Sequence, residues 1–469
     1  MGSIYPTAFH VKRVAVIGAG PCGLAAASYL QAQGAYDKIA VFEQQAQVGG
    51  VWNYNAVVPA PNRVPQTSPF CPPNGPSRVA GEKLPVFPSP MYDKLHANLP
   101  KTIMKFSDLD FAEDAWIYPG RHDVQDYIIS YSQHVRHLIR FCLQVTSVEL
   151  RTDHLGHDTW RIQARSTVDG QVLDETFDAV VVANGHYSTP FLPDLPNIGP
   201  FHQAYPSVIT HSHNYHSADA FKDKKTIIVG NGPSGQDIGY QINRVSKGQA
   251  LYSVRHGLPP DKLRHTGCRE MAEIQEFLIE ERGVRLKDGT VVSDVDAIVF
   301  CTGFRFSLPF LGHLEKEFIT NGVRVHGLYQ HLFYIPHPTL VFPALNMRIV
   351  SFPFSETQAA VFSAVWSNNL TLPPKPEMVR WNKEAEATLG DKLHIFPPVK
   401  DAEYMNELHD WAMEATRPGK EPPRWGAEQV WIRTIFPEAK VAFEQQGCKA
   451  TTLEELGFTF DASQHEPCQ

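Results

Sequence analysis

The chain has 469 residues, of which 43% are hydrophobic and 20% charged, and its formal net charge is −8. This apolar content excludes a disordered chain, and the acidic balance argues against a nucleic-acid partner. The length exceeds what one hydrophobic core usually supports, so we expect two domains or one elaborated domain. Neither an apolar run long enough for a membrane span nor a signal peptide is found. We therefore expect a cytoplasmic protein without a membrane anchor.

Cysteine and histidine patterns bear on redox and metal chemistry. The seven cysteines are scattered and odd in number, and no CxxC pair occurs. This pattern argues against a disulfide framework and against a redox-active cysteine pair. His211, His213 and His216 cluster, but no Cys, Asp or Glu partners with ligand spacing accompany them. The sequence therefore predicts no metal site.

The first part of the chain predicts a βαβ unit and then a long loop. Strands are expected over 12–18 and 38–43, joined by a glycine-rich turn and a helix that ends near Gly34. Residues 55–90 hold ten prolines in thirty-six positions, which predicts irregular structure that we expect to shape a substrate entrance. A helix over 121–141 and a buried strand over 177–183 follow.

A second βαβ unit begins about two hundred residues after the first. Residues 225–230 and 250–255 read as strands, and residues 233–246 between them as a helix. Residues 296–303 form another apolar strand that ends in glycine, and helices with proline breaks fill the tail from about 355.

The turn inside the first βαβ unit carries a dinucleotide-binding pattern. Gly18 permits the tight turn, Gly20 allows a pyrophosphate to approach the backbone, and Gly23 lets the helix pack on the strand. The helix N-terminus offers free N–H groups to phosphate. Glu43 follows the last glycine by twenty residues, where an acid hydrogen-bonds a free ribose 2′-hydroxyl, as in FAD or NAD.

The second unit repeats the pattern with the opposite charge. Its glycines are Gly230, Gly232 and Gly235, and the residue twenty positions past the last one is Arg255. An arginine there suits the 2′-phosphate of NADPH, which an acid repels. Two nucleotides of different kinds in one chain indicate a flavin that NADPH reduces.

Several segments together resemble the flavin-containing monooxygenases, with the closest likeness to the soluble yeast-type members. The family's FxGxxxHSxxY motif is present with two departures. Tyr205 and Ser207 stand where the motif has Phe and Gly, whereas Tyr215 matches its last residue. The segments that carry the resemblance are Gly49–Tyr54 (GG-x-W), Leu95–Pro100 (an Asn-bearing loop), Tyr205–Tyr215 (the FxGxxxHSxxY motif), Phe300–Phe304 (FATGY) and Phe352–Gln358.

The resemblance implies an α/β fold with two Rossmann-like dinucleotide-binding domains. The NADPH domain, about 208–319, is inserted into a discontinuous FAD domain made of residues 1–207 and 320–469. We expect the active site in the cleft between the two domains. A homodimer is expected only because dimers are the most frequent oligomers.

The resemblance also implies the reaction, an NADPH- and O2-dependent oxygenation of a small-molecule nucleophile, an amine nitrogen or a sulfur, through a C4a-hydroperoxyflavin. Asn98 is the implied catalytic residue, because its family counterpart contacts flavin and NADP. Three alternatives stay open: oxygen insertion beside a ketone, hydroxylation of a primary amine, and a flavin-dependent oxidase or reductase. Tyr215 stands where ketone-oxygenating relatives have Trp, which favours oxygenation of a heteroatom.

Cofactor contacts follow from the same motifs. The implied FAD contacts are Gly18, Gly20, Pro21, Cys22, Gly23, Glu43, Gln44, Gly50, Val51, Trp52, Asn98, Val145 and Gln358. The implied NADP contacts are Tyr187, Ser212, Gly230, Asn231, Gly232, Pro233, Ser234, Gly235, Arg255 and Thr302.

Overall fold

The computed structural model describes residues 8–55, 57, 61–71, 75–77, 84–152, 154 and 156–464. About a third of the proline-rich stretch expected to shape a substrate entrance, residues 56, 58–60, 72–74 and 78–83, therefore lies outside the described residues. Within the described part, the chain forms a seven-stranded mixed sheet, which is largely parallel, and a five-stranded parallel sheet, and each is accompanied by a small antiparallel sheet. This arrangement is the predicted α/β class.

The part of the chain before residue 208 builds most of the first sheet. Its elements in chain order are β1 (Arg13–Ile17), α1 (Pro21–Gln33), β2 (Lys38–Phe42), α2 (Lys101–Met104), α3 (Arg121–Tyr131), β3 (Ile139–Arg140), β4 (Leu143–Thr152), β5 (Asp158–Ser166), β6 (Val172–Phe177), β7 (Ala179–Val182) and α4 (Ile198–Ala204).

The middle of the chain builds the second sheet. Its elements are β8 (Ile209–His211), β9 (Thr226–Val229), α5 (Pro233–Asn243), β10 (Leu251–Ser253), α6 (Pro260–Thr266), β11 (Arg269–Met271), β12 (Ile274–Leu278), β13 (Gly283–Leu286), β14 (Val291–Val292), β15 (Ala297–Phe300) and α7 (Glu315–Phe318).

The last part of the chain returns to the first sheet and then turns helical. Its elements are β16 (Leu328–Tyr329), β17 (Phe333–Tyr334), β18 (Leu340–Val341), α8 (Ser351–Trp366), α9 (Lys375–Leu389), α10 (Lys400–Met413) and α11 (Ala427–Gln445). None of the described helices combines the length and apolar character needed to cross a bilayer.

The two sheets share one plan. The first has the strand order β16-β17-β18-β7-β1-β2-β3, and the second has the order β11-β10-β9-β15-β8. In each, the strand before the glycine turn is central, and an antiparallel meander (β4–β6 or β12–β14) precedes the returning strand β7 or β15. The first sheet takes strands from both sides of the second along the chain, as an inserted domain requires. The domain boundaries themselves stay a prediction.

Alternation along β1 explains why the first sheet is covered on both faces. Val14 and Val16 belong to the core cluster with α1 and α8, whereas Ala15 and Ile17 face the cluster that holds the meander β4–β6. Because successive side chains of a strand point to opposite faces, both sets are buried. The small side chains of α1 are buried under α8, and they anchor α1 in the core.

The predicted helix over 121–141 is wrong in its second half. The α-helix ends at Tyr131, a 3-10 segment covers residues 132–138, and Ile139–Arg140 form the edge strand β3 beside β2. The apolar residues Val135 and Ile139 are buried against the same core as α3, so the apolar pattern continues although the helix does not. Packing against the sheet overrides local helical preference here.

Candidate active site

The first glycine turn, residues 18–23, has the close approaches that its pattern predicts. A Cβ on Gly18 would lie 2.5 Å from the carbonyl oxygen of Ala183, and one on Gly23 would lie 1.9 Å from the carbonyl oxygen of Gly18. Gly18 also has φ +100°. Pro21 occupies the first helical position of α1, and the first helical hydrogen bond runs from Leu24 to Gly20. The amides before it are the donors that a pyrophosphate needs.

The segment Gly49–Trp52 lies over this turn. The Gly49 amide donates to the carbonyl of Ala19 at 3.0 Å, and the Cα of Gly50 lies 3.5 Å from where a Gly20 Cβ would be. Gly50, Val51 and Trp52 form a 3-10 turn, and the Trp52 indole packs against the core. The GG-x-W segment and the glycine turn thus come together as the resemblance implies.

Glu43 occupies the end of β2 and is buried. Its carboxylate accepts hydrogen bonds from the amides of Ala19, at 2.7 Å, and Gln45, at 2.8 Å. Burial raises the pKa of Glu43 to about 7, against the lowering effect of these bonds. The carboxylate therefore ties the glycine turn to the end of β2, and its contact with a ribose stays a prediction.

Gln44 and Val145 lie next to each other beyond Glu43. The side chain of Gln44 accepts a hydrogen bond at 3.1 Å from Gln144, which precedes Val145 in β4. Val145 itself is buried. The structure therefore brings these two predicted FAD contacts to the same edge of the first unit.

Two buried side-chain amides, one within α8 and one in the segment before it, behave differently. Gln358 is fully buried, with its oxygen accepting from the Ala344 amide at 2.7 Å and its nitrogen donating to Tyr404 at 3.0 Å. Asn346 is also buried, but neither polar atom of its side chain has a hydrogen-bond partner among the residues that the structure describes. A buried, unpaired amide is costly unless a ligand or water completes it.

Asn346 is thus a functional candidate that sequence reasoning missed, since its two buried polar atoms can donate to and accept from a ligand. The signal was weak: one Asn in an apolar run, five residues before a helix. Helix α1, which begins at the first glycine turn, packs against α8. The first glycine turn and the Gly49–Trp52 segment together fit FAD.

The second glycine turn, residues 230–235, repeats the backbone of the first but is open. Gly230 has φ +100°, and a Cβ on Gly235 would lie 2.1 Å from the Gly230 carbonyl oxygen. Gly232, in contrast, has no atom within 4 Å of a built Cβ. Pro233 and Ser234 are exposed, and the Asn231 amide donates to the carbonyl of His256 at 2.7 Å. This open turn fits a nucleotide that enters and leaves.

The structure does not place Arg255 at the strand position equivalent to Glu43, as its spacing from the last glycine predicts. Parallel pairing aligns Val229 with Ser253 in the second sheet as it aligns Ile17 with Phe42 in the first. Arg255 therefore lies one position beyond the equivalent of Glu43, although both follow their last glycine by twenty residues. Its side chain is 81% exposed and pairs with Glu273 at 2.8 Å, and Lys287 pairs with the same carboxylate. Two cations thus flank the site expected for a 2′-phosphate.

The remaining predicted NADP contacts lie where the two units meet. The Tyr187 ring contacts Phe304, with ring centroids 5.5 Å apart, and the Thr302 hydroxyl donates to the carbonyl of Phe191. Ser212 is buried at the start of a 3-10 turn after β8. The FATGY-like segment and the FxGxxxHSxxY-like motif are therefore adjacent.

The histidine cluster has structural partners. The Nε2 of His211 lies 3.1 Å from the Gly303 carbonyl oxygen, and its Nδ1 accepts from the His213 amide at 3.1 Å. His213 bonds Asn214, and His216 contacts Tyr54. Burial lowers the pKa of His211 to about 3. Among the described residues no group of three or more potential ligands could hold a metal ion.

Asn98 lies in a loop that is fixed on both sides while its own side chain is exposed. We define the Asn98 loop as residues 95–101. The Ala97 amide donates to Pro119, and the Lys101 amide donates to Ile117, both at 2.8 Å. The side chain of Asn98 forms no hydrogen bond within the part of the chain that the structure describes. The backbone on both sides of Asn98 is therefore fixed, and its exposed side-chain amide is available to a ligand.

The comparison with protein families decides the identity of the fold. A model described as flavin-binding monooxygenase-like matches residues 88–259 and 266–416, and an NAD(P)-binding Rossmann-like model matches residues 16–69. The chain belongs to the flavin-binding monooxygenase-like family. The predicted family, the α/β fold class and the FAD and NADPH cofactors are thereby confirmed, and the chain is a flavoprotein monooxygenase.

Individual relatives cover nearly the whole chain. A flavin-containing monooxygenase of the GS-OX-like type from Arabidopsis thaliana is 32% identical over 436 residues, 87% of either chain. The thiol-specific monooxygenase of Saccharomyces cerevisiae is 30% identical over 421 residues, 85% of either chain. The S-allyl-L-cysteine S-oxygenase of Allium sativum has a similar structure, with a TM-score of 0.77, 24% identity and 97% of either chain covered.

Proposed function

We propose that this flavoprotein monooxygenase oxygenates a soft nucleophile, a thiol or thioether sulfur in the first place and an amine nitrogen in the second. The observation that carries the proposal is the Asn98 loop, whose backbone is fixed by hydrogen bonds and whose exposed amide has no partner within the described residues. The thiol-specific relative supports sulfur as the preferred atom.

When bound, the flavin supplies activated oxygen from O2 after NADPH has supplied two electrons. For a thioether the balance is one O2, one NADPH and one proton in, and one sulfoxide, one water and one NADP⁺ out. The protein's own groups bind and orient the cofactors and keep water from the reacting atoms. A neutral amide such as that of Asn98 can donate and accept a hydrogen bond without a change of protonation.

The absence of a protein nucleophile is consistent with this chemistry, because the oxygen is transferred from the cofactor. A flavin disulfide reductase, in contrast, needs a redox-active cysteine pair beside the flavin. All six cysteines among the described residues are free, and burial raises the pKa of Cys22 to about 11 and that of Cys301 to about 12. These thiols are poor nucleophiles.

The test of this proposal is the fate of the oxygen in the Asn98→Ala and Asn98→Ser enzymes. Each variant should keep FAD but release a larger share of the oxidised NADPH equivalents as hydrogen peroxide, by about tenfold or more. Thioethers, thiols and tertiary amines are supplied in turn, and product and peroxide are both counted. A peroxide share equal to that of the wild-type enzyme in both variants contradicts the role of Asn98.

Two further expectations belong to the proposal. We place the enzyme in the cytoplasm, which accords with six unpaired cysteines among the described residues. We also propose a homodimer, on the general frequency of twofold assemblies alone. Sedimentation of the FAD-loaded enzyme distinguishes a monomer from a dimer.

A further inference from the structure

A chain of ionisable groups connects the second nucleotide unit with the Asn98 loop. Lys440 and Glu444 lie one helical turn apart on α11, and His265 lies on α6. We call Lys440, Glu444 and His265 the polar bridge. Their side chains are 14%, 12% and 10% exposed. Three ionisable side chains with so little exposure require specific partners, since burial of an unpaired charge is expensive.

The partners of Lys440 fix its position. Its ammonium donates to the carbonyl oxygen of Ala97 at 3.1 Å and lies 3.5 Å from the Glu444 carboxylate. It also lies over the rings of Tyr118 and Phe443, 5.0 and 5.5 Å from their centroids. The carbonyl that it holds belongs to the peptide bond between Ala97 and Asn98.

Glu444 carries the contact to the other sheet. Its second carboxylate oxygen lies 2.6 Å from Nε2 of His265. Although burial alone raises the pKa of Glu444, the bonds from His265 and Lys440 outweigh it and hold that pKa below its usual value. The imidazole of His265 stacks on Tyr240 of α5, the helix that begins at the second glycine turn. The bridge thus runs from the NADPH-side helices to the backbone of Asn98.

A second contact also joins α5 to the chain just before the Asn98 loop. The Tyr92 hydroxyl, just before the Asn98 loop, donates to the half-buried carboxylate of Asp237 in α5. Burial raises the pKa of Asp237, and the nearby charge of Lys440 lowers it. Lys440 thus pairs with Glu444 on its own helix, and its charge also acts on Asp237 of α5.

We propose that Lys440 is a positioning residue for Asn98, and that Glu444 and His265 hold Lys440 in place from the NADPH-binding unit. This inference rests on the proposed role of Asn98. Because Asn98 has no side-chain partner of its own among the described residues, its amide can be oriented only through its backbone. The Lys440 bond to the Ala97 carbonyl is the one that reaches that backbone from α11.

The first experiment measures hydrogen exchange of the peptide covering residues 95–101 in the FAD-loaded enzyme. Lys440→Met keeps the aliphatic stem against Tyr118 and Phe443 and removes the ammonium. Exchange in this peptide should become about fivefold faster, which is about 1 kcal/mol at about 1.4 kcal/mol per tenfold. Glu444→Gln and His265→Asn should show smaller increases in the same peptide, and they replace Lys440→Met if that variant does not fold.

The matched control is Lys400→Met, which removes an exposed lysine of α10 that pairs with Glu403. It should leave exchange in residues 95–101 unchanged, and Lys440→Arg should restore most of the protection. Unchanged exchange in Lys440→Met, or equal increases in Lys440→Met and Lys400→Met, overturns the proposal.

The second readout separates positioning from general stability. Lys440→Met should raise the peroxide share of NADPH oxidation several-fold while the KM for NADPH stays within about twofold, because the nucleotide contacts are intact. If Asn98→Ala raises the peroxide share and Lys440→Met does not, the positioning role fails and the proposed function stands. If neither variant raises it, the role of Asn98 fails, and the exchange result alone decides whether Lys440 fixes the loop.

Discussion

The two nucleotide units have the same backbone and opposite surroundings. In both, the first glycine has φ +100° and the last one would clash with the carbonyl of the first if it carried a Cβ. The first turn is covered by Gly50, and the helix after it is buried beneath α8. The second turn is open at Gly232. We therefore expect the covered turn to hold FAD, which stays bound, and the open turn to hold NADPH, which exchanges in every turnover.

The residues after the second strand of each unit extend this difference. Glu43 is buried and has both carboxylate oxygens bonded to backbone amides, whereas Arg255 is almost entirely exposed. A buried acid and an exposed base favour different riboses, and they also respond differently to pH and salt. The comparison yields four predictions, ordered by the size of the expected effect.

Replacing the last glycine of each turn should affect the binding of FAD and of NADPH separately. In Gly23→Ala the new methyl meets the carbonyl of Gly18 inside the core, so we expect a loss of at least about 4 kcal/mol of stability and no retained FAD. Gly235→Ala should keep FAD and reduce NADPH binding by about a hundredfold. Flavin absorbance and anaerobic reduction by NADPH measure the two effects. Gly199→Ala, where nothing lies near the added methyl, is the control.

The buried acid of the first unit should make FAD-free protein sensitive to pH. Because the folded-state pKa of Glu43, about 7, lies above the ordinary value of 4.5, ionisation disfavours the folded state. Relative to Glu43→Gln, wild-type protein should therefore lose about 2 kcal/mol between pH 5 and pH 8. Denaturant titrations at both pH values measure this. Parallel pH profiles of the two proteins contradict the assigned pKa shift, and Val254, the equivalent residue of the second unit, cannot titrate.

The exposed base of the second unit should control the choice between NADPH and NADH. Arg255→Ala is expected to raise the KM for NADPH about tenfold, since a charge-assisted hydrogen bond to the 2′-phosphate is lost in a solvent-screened site. The KM for NADH should not change. Arg151→Ala, which removes an arginine from the edge of β4, serves as the control. Equal changes in the KM values for NADPH and NADH contradict a contact between Arg255 and the 2′-phosphate.

The open space at Gly232 should accept a larger side chain without loss of stability, but this side chain should interfere with NADPH binding. Gly232→Ala is expected to change the stability of the FAD-loaded protein by less than about 0.5 kcal/mol, because the added methyl meets no atom. The KM for NADPH should nevertheless rise, as the methyl occupies the approach of the pyrophosphate. Thermal unfolding and steady-state kinetics test the two statements separately.

Local patterns predicted the parts of this molecule that are determined locally. Each glycine turn, the strand before it and the helix after it follow from residues within about thirty positions, and the structure has them where expected. The meanders β4–β6 and β12–β14 were not predicted. The strands β12–β14 are short and are stabilised by packing on the second sheet. In β5, by contrast, Trp160, Ile162 and Ala164 alternate with polar residues, so this strand had a local signal that the sequence analysis missed.

Register and long-range partners were beyond the sequence argument. The spacing of twenty residues placed Glu43 and Arg255 at equivalent positions, and strand pairing shifts them by one. The contact between Lys440 and Ala97 joins residues far apart in the chain, so no local sequence pattern predicts it. The burial of the Asn346 amide without a partner among the described residues likewise depends on tertiary packing.

The measurement that tests the central claim most directly is the origin of the oxygen atom in the product. The FAD-loaded enzyme is supplied with NADPH, a thioether and ¹⁸O2 in unlabelled water, and the sulfoxide is analysed by mass. The account predicts one ¹⁸O atom in each product molecule and NADPH consumption equal to product formation. Sulfoxide that carries oxygen from water, or NADPH oxidation that yields labelled peroxide and no sulfoxide, contradicts it.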